Sequence, residues 1–242
     1  MQYPLTEELN EMTLQVGIIG SDGTVIASDR LVTSFEGGSF SLGHSSKFES
    51  SKSVVCCWSG DQPAIYAANY IRDIEWETIH DRETKLKECG NRAWQTVFGS
   101  SALPTIQRGT ARKVLVSFAA DCSLWELEVS GYSLLQPVQN VAVVGDIRTT
   151  AKHFTNNYVP KSPATITELI PLAAHTILAA GRENNIGVGG IEVAILARGK
   201  TPYFLTREQE LQLEALSNSI HASLGKQLLQ PFDYRPVTPP QA

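Results

Sequence analysis

Short apolar runs flanked by turn residues alternate along this chain with longer stretches in which apolar residues recur at helical spacing. Residues 14–20 (LQVGIIG) and 24–29 (TVIASD) are two such runs, joined by Ser21-Asp22-Gly23, a composition that supplies the positive-φ positions of a hairpin turn. The chain is therefore predicted to open with a hairpin. Residues 40–48 and 53–58 (SVVCCW) make a second pair, ended by Ser59-Gly60-Asp61 and then Pro63, which reads as a helix start with Asp61 as its cap. Ile65, Ala68 and Ile71 share one face of that helix. A second helix runs from about Asp81 to Phe98, with Leu86, Ala93 and Val97 on one side, until Gly99, Pro104 and Gly109 break the pattern.

Strand-like runs return at 113–119, 124–130 and 140–144, followed by helical segments near 146–157 and 164–184. The second of these helices opens on a Thr165-x-x-Glu168 capping box and carries a stripe of Leu169, Ala173 and Ile177. A last strand, 191–197, precedes a helix from about 207, opened by Thr206-x-x-Gln209 and striped by Leu213, Leu216, Ile220 and Leu224. Runs of strands followed by runs of helices, twice over, predict an α+β fold: two largely antiparallel sheets packed face to face with helices outside. No tandem repeat interrupts it, so residues 13–230 read as one domain, with a proline-rich tail at 231–242 expected to be extended or disordered.

Composition narrows the function. Of 242 residues, 42% are hydrophobic and 19% charged, enough apolar chain to bury a core. Twenty basic against twenty-five acidic side chains leave a net charge of -5, which offers no electrostatic footprint for nucleic acid or an anionic membrane. Neither a membrane-spanning run nor a signal peptide is legible, so a cytoplasmic protein is expected. Cys56, Cys57, Cys89 and Cys122 form no CxxC or disulfide framework and read as buried reduced thiols, the adjacent pair pointing to opposite faces of a strand.

Phosphate-loop, GxSxG and HExxH motifs are all missing, and Gly187-Val188-Gly189-Gly190 precedes a strand rather than opening a helix, which makes it a tight turn. No cofactor or metal is called for. One constellation remains. Thr13 begins the first strand and Asp29 ends the second, so the hairpin brings a hydroxyl and a carboxylate to one sheet end within about two residues of register. Lys47 reaches the same end if its strand neighbours the hairpin.

Thr13-Leu-Gln-Val-Gly-Ile, the stretch 22–30 (DGTVIASDR), Lys47, Cys57-Trp58-Ser59-Gly60 before a helix, and Val188-Gly189-Gly190 before the last strand together resemble proteasome β-type subunits, including bacterial ancestral β-subunit relatives. The resemblance spans about residues 13–200 and implies the N-terminal-nucleophile hydrolase fold, a four-layer αββα sandwich. It also implies Thr13 as nucleophile, Asp29 and Lys47 completing a triad, the Gly60 N–H as oxyanion donor, a peptide or protein substrate, and a homo-oligomeric ring or stacked rings. Lys47 lies a couple of residues farther from Asp29 than the family's spacing, so the loop from Leu31 to His44 is expected to bulge. Where the family supports the nucleophile's amine with an aspartate and a serine, this chain has Asn184 or Asn185 and then Gly187 or Val188, and Asp146 stands at another serine's place. The threonine mechanism needs a free amine on Thr13, and twelve residues precede it. Met12 as the true start would provide one, with residues 1–12 a misassigned start; otherwise they are an extension. The alternatives are a catalytically silent subunit and an acyl-transferring, ligase-type variant. Ser34, Phe35 and Ser46 are candidates for substrate contact.

Overall fold

A computed structural model describes residues 13–36, 39–99, 112–145, 148–162, 164–183 and 188–228. The opening hairpin forms as the sequence predicts. β1 (Leu14–Ile19) pairs antiparallel with β2 (Gly23–Asp29), Gln15 facing Ser28 and Ile19 facing Thr24. The turn differs in its reason. Neither Ser21, Asp22 nor Gly23 has positive φ. Gly23 is instead needed for space, because a Cβ there would sit 2.2 Å from the Leu196 carbonyl oxygen. The Asp22 carboxylate accepts the Ile166 N–H at 2.8 Å and so ties the turn to a helix start.

The hairpin lies at the centre of a five-stranded antiparallel sheet. β10 (Val141–Gly145) flanks β1, while β11 (Ile191–Ala197) and then the short β12 (Tyr203–Phe204) flank β2. A second five-stranded antiparallel sheet runs β5 (Phe48–Ser50), β6 (Val54–Ser59), β7 (Lys113–Phe118), β8 (Leu124–Glu128), β9 (Leu134–Val138). β9 went unpredicted because its side chains are mostly exposed and it contains Pro137, which an edge strand tolerates.

The 40–48 run is not one strand. It divides at Ser45–Lys47: β4 (Ser39–His44) pairs back onto β3 (Leu31–Glu36), and only β5 joins β6. The expected bulge between Leu31 and His44 is therefore a two-stranded hairpin of its own, and a hairpin absorbs an even insertion without disturbing the strands it connects.

Among the described residues the α-helices are α1 (Gln62–Arg72), α2 (Arg82–Phe98), α3 (Arg148–Tyr158), α4 (Ile166–Arg182) and α5 (Arg207–Leu228). Asp81 caps α2 by accepting the Thr84 N–H. Thr206 and Gln209 exchange both capping bonds, at 2.9 and 3.3 Å, and Glu168 accepts the Thr165 N–H at 2.8 Å. No helix among these residues is long and apolar enough to cross a membrane.

Period-two alternation in the central strands decides the packing. Val16, Ile18, Val25 and Val193 of the first sheet meet Leu169, Ala173 and Ile177 of α4. Val54, Cys56, Val114 and Val116 of the second sheet meet Ala64, Ala68 and Ile71 of α1 and Leu86 of α2. The remaining faces meet each other through Ile26, Val144 and Leu196 against Val55, Leu115 and Leu124. Cys56 and Cys57 thus point to opposite sides of β6, and all four cysteines are free and buried. The predicted stripe on α5 is corrected: Leu213 packs partly, whereas Leu216, Ile220 and Leu224 are exposed. Among the described residues of α5, Glu210 and Ser217 are fully buried.

Candidate active site

Three elements converge on the open end of the β1–β2 hairpin. Thr13 leads into β1, Asp29 ends β2, and Lys47 stands where the chain leaves β4 for β5. Pairing of Gln15 with Ser28 sets Leu14 opposite Asp29, so Thr13 is one position beyond it. The Lys47 ammonium donates to the Thr13 hydroxyl at 3.1 Å and to both Asp29 oxygens at 2.8 and 2.9 Å. Asp29 also accepts the N–H groups of Leu14 at 2.8 Å and Leu31 at 3.1 Å. Thr13 is 6% exposed, Asp29 and Lys47 1% each. An ion pair removed from water this completely needs its remaining hydrogen-bonding capacity satisfied, and the two backbone donors provide that for the carboxylate. Burial pushes the Asp29 carboxyl up from its ordinary value, against the opposing pull of the Lys47 charge and the two N–H groups.

Lys47 is held by its own main chain as well. Its carbonyl accepts the Trp58 N–H at 3.0 Å, which ties it to the end of β6. Gly60 follows directly, with φ +101°, a conformation open to glycine but strained for other residues. Asp61 does occupy the N-cap position of α1, but its side chain makes no cap bond. It pairs instead with Arg112, Nε to Oδ1 at 2.5 Å and Nη2 to Oδ2 at 2.7 Å. Behind Thr13, Gly145 has φ +118°, and a Cβ there would lie 1.8 Å from the Thr13 carbonyl oxygen. The turn before β11 is glycine-rich for the expected reason, with Gly189 at φ +61° and Gly190 at +94°.

The sequence matches no protein-family model, and no curated protein matches it. Solved structures do. The Gly-1 mutant of Anbu from Hyphomicrobium sp. strain MC1 superposes with a TM-score of 0.69 at 12% identity, over 93% of this chain and 100% of that one. Anbu, the ancestral beta-subunit, from Yersinia bercovieri gives 0.68 at 12% identity, over 92% and 99%. The likeness is one of fold. At 12% identity it shows that this chain shares the mixed α and antiparallel-β architecture of Anbu structures.

Of the expected site residues, Thr13, Asp29 and Lys47 are joined by hydrogen bonds, and Gly60 lies two residues beyond Trp58, which bonds to Lys47. Ser34 and Phe35 lie on β3, facing Ser41 and Phe40 across that hairpin. Ser46 is exposed, and its hydroxyl accepts the Phe48 N–H at 3.2 Å. Of Gly187 and Val188, the two positions where the family resemblance calls for a hydroxyl, Val188 is buried and apolar. Asn184, Asn185, Gly187, Asp146, residues 1–12 and the tail at 231–242 lie outside the described residues.

Sequence reading missed a polar row beneath the triad. Gln15, Ser28 and Glu192 are register neighbours across β1, β2 and β11. Gln15 donates its amide to the Trp58 carbonyl, and burial pushes the Glu192 carboxyl up from its ordinary value. The signals in the sequence were Gln15 and Glu192, each a polar residue inside an apolar run; Arg112 and Asp61, far apart in the chain, had none.

Proposed function

We propose that this protein is an N-terminal-nucleophile hydrolase of the proteasome β-subunit type, a four-layer αββα sandwich that cleaves peptide or related amide bonds from a mature N-terminus at Thr13 and assembles as a homo-oligomer. The observation that carries the reading is the Lys47 ammonium, within 3.1 Å of the Thr13 hydroxyl and salt-bridged to buried Asp29.

A threonine hydroxyl is a weak nucleophile near neutral pH and needs a base within hydrogen-bond reach. A free α-amine on the same residue, whose ordinary pKa is about 8, supplies one directly or through a water. Lys47 favours the developing alkoxide and depresses the amine's pKa by its charge, while Asp29 fixes Lys47 in place. The Thr13 Oγ attacks the substrate carbonyl as its proton passes to the amine. The oxyanion then collapses, the C–N bond breaks, and the leaving amine takes that proton. Water next attacks the ester by the same route and returns Thr13 to its free state. The Gly60 N–H is the proposed oxyanion donor, at a turn with no Cβ to block approach.

A silent subunit of the same fold is the second reading, and the loss of the supporting hydroxyl, whether Gly187 or Val188 stands at its place, favours it. N-terminal sequencing and labelling by a threonine-directed peptide epoxyketone separate the two. A product that begins at Thr13 and gains the probe's mass, lost in Thr13→Ala, supports the hydrolase. A terminal Thr13 that takes no label supports the silent subunit.

A further inference from the structure

Gly60 is the most conformationally free residue of the proposed site, yet an oxyanion donor is useful only when its N–H points to one place before the substrate arrives. Its flanks are held by contacts from two directions. On the N-terminal side the Trp58 main chain is a junction: its N–H donates to the Lys47 carbonyl at 3.0 Å, and its C=O accepts the Gln15 side-chain amide. Gln15 shares a face of β1 with Thr13, two positions away, so the strand that carries the hydroxyl grips the strand that carries Gly60. On the C-terminal side Asp61 is held by Arg112 in a bidentate pair at 2.5 and 2.7 Å. The guanidinium in turn lies over the rings of Trp94 and Phe98, at 5.4 and 5.5 Å.

Neither contact is the arrangement that stability alone favours. Gln15 is fully buried, and its Oε1 has no hydrogen-bond partner among the described residues, a cost that an apolar side chain of the same size avoids. Asp61 stands at the N-cap of α1, where its carboxylate would stabilise the helix, and spends that carboxylate on Arg112 instead. Gln15 leaves an acceptor unpaired and Asp61 gives up its cap bond, and both contacts fall on the backbone that flanks Gly60.

We propose that Gln15 and the Asp61–Arg112 pair are positioning residues that brace the Gly60 turn and set the separation between its N–H and the Thr13 hydroxyl. The proposal rests on the reading of Gly60 as oxyanion donor.

The test uses the mature full chain with Gln15→Met, which keeps volume and deletes the amide, and Arg112→Lys, which keeps charge and loses the fork. Hydrogen exchange of the segment 58–62, steady-state kinetics on a peptide amide, affinity for a peptide boronate and Tm are measured together. The brace predicts faster exchange confined to 58–62 and a fall in kcat of about 10- to 100-fold with KM within about twofold. Boronate affinity falls in parallel, and the Tm of Gln15→Met is unchanged or higher. Unchanged exchange at 58–62 overturns the brace, as does faster exchange with wild-type kcat. A wild-type protein with a free Thr13 that neither turns over substrate nor binds the boronate overturns the hydrolase reading instead, whatever the exchange shows.

Discussion

At the residue scale the site is governed by the cost of burying charge. Lys47 and Asp29 have both lost their hydration, and each is tolerable only because the other is there. Removing one partner strands the other. Lys47→Met is expected to lower stability by about 3–5 kcal/mol, and adding Asp29→Asn to restore much of it, a coupling that urea unfolding of the two single variants and the double variant measures. Gly145 makes a second expectation. With φ +118° and the Thr13 carbonyl in the place of a Cβ, Gly145→Ala is expected to cost more than about 2 kcal/mol and to displace Thr13, read as a lowered Tm together with lost probe labelling. The thiols stay out of the chemistry: burial pushes Cys89 up to about 11 and Cys57 higher still.

At the element scale the β3–β4 hairpin and α5 depart most from their sequence patterns. Lys47 lies farther along the chain from Asp29 than the family's spacing, and the hairpin accommodates the extra residues while returning the chain to Ser45 beside Arg30, whose carbonyl accepts the Ser45 N–H at 3.0 Å. α5 docks by polar contacts as well as by Leu213. Buried Glu210 takes both its oxygens to the Arg30 Nη2, at 2.9 and 3.0 Å, and buried Ser217 lies between His175 and Arg182 of α4, 2.9 Å from each. Burial, then the charges of Arg182 and His221, hold His175 below its ordinary pKa of 6.5. Between that lowered value and 6.5 the unfolded chain binds a proton that the folded chain refuses. Stability is therefore expected to be full above about pH 7 and to decline as pH falls through 6.5, and thermal melts at pH 5.5 and 7.5 should differ less in His175→Gln than in wild type.

At the scale of the whole molecule, one core lies between the sheets and two lie between sheets and helices. The inter-sheet core holds the triad in register, because Thr13 and Asp29 belong to one sheet and Lys47 leads into the other. Leu124 packs there with its Cδ2 directed at Gly17, where a Cβ would come within 2.8 Å. Leu124→Ala is expected to cost about 2–5 kcal/mol. The outer surface has unfinished business of the same chemical kind: Leu216, Ile220 and Leu224 of α5 and Tyr158 of α3 are exposed, and Tyr158, Ile220 and Leu224 line one apolar groove with Phe154, Pro171 and Leu172. Under the homo-oligomer proposed above, light scattering is expected to give a multiple of the mass of the mature chain, and Leu224→Glu with Ile220→Glu to shift it toward a single chain.

What this sequence determined by itself is local. The periods that separate strands from helices, the caps at Thr165 and Thr206, the two faces of Cys56 and Cys57, and the nearness of Thr13 to Asp29 all follow from alternation, short-range hydrogen bonds and one hairpin turn. These need only neighbours in the chain. What the tertiary structure alone decided involves residues distant in sequence: that Asp61 turns from its helix to Arg112, that Gln15 reaches Trp58, that α5 buries Glu210 and Ser217 and leaves Leu216, Ile220 and Leu224 in water. A polar side chain in an apolar strand shows no partner until the other sheet is laid against it, and a helical stripe is buried only where a neighbour stands to cover it.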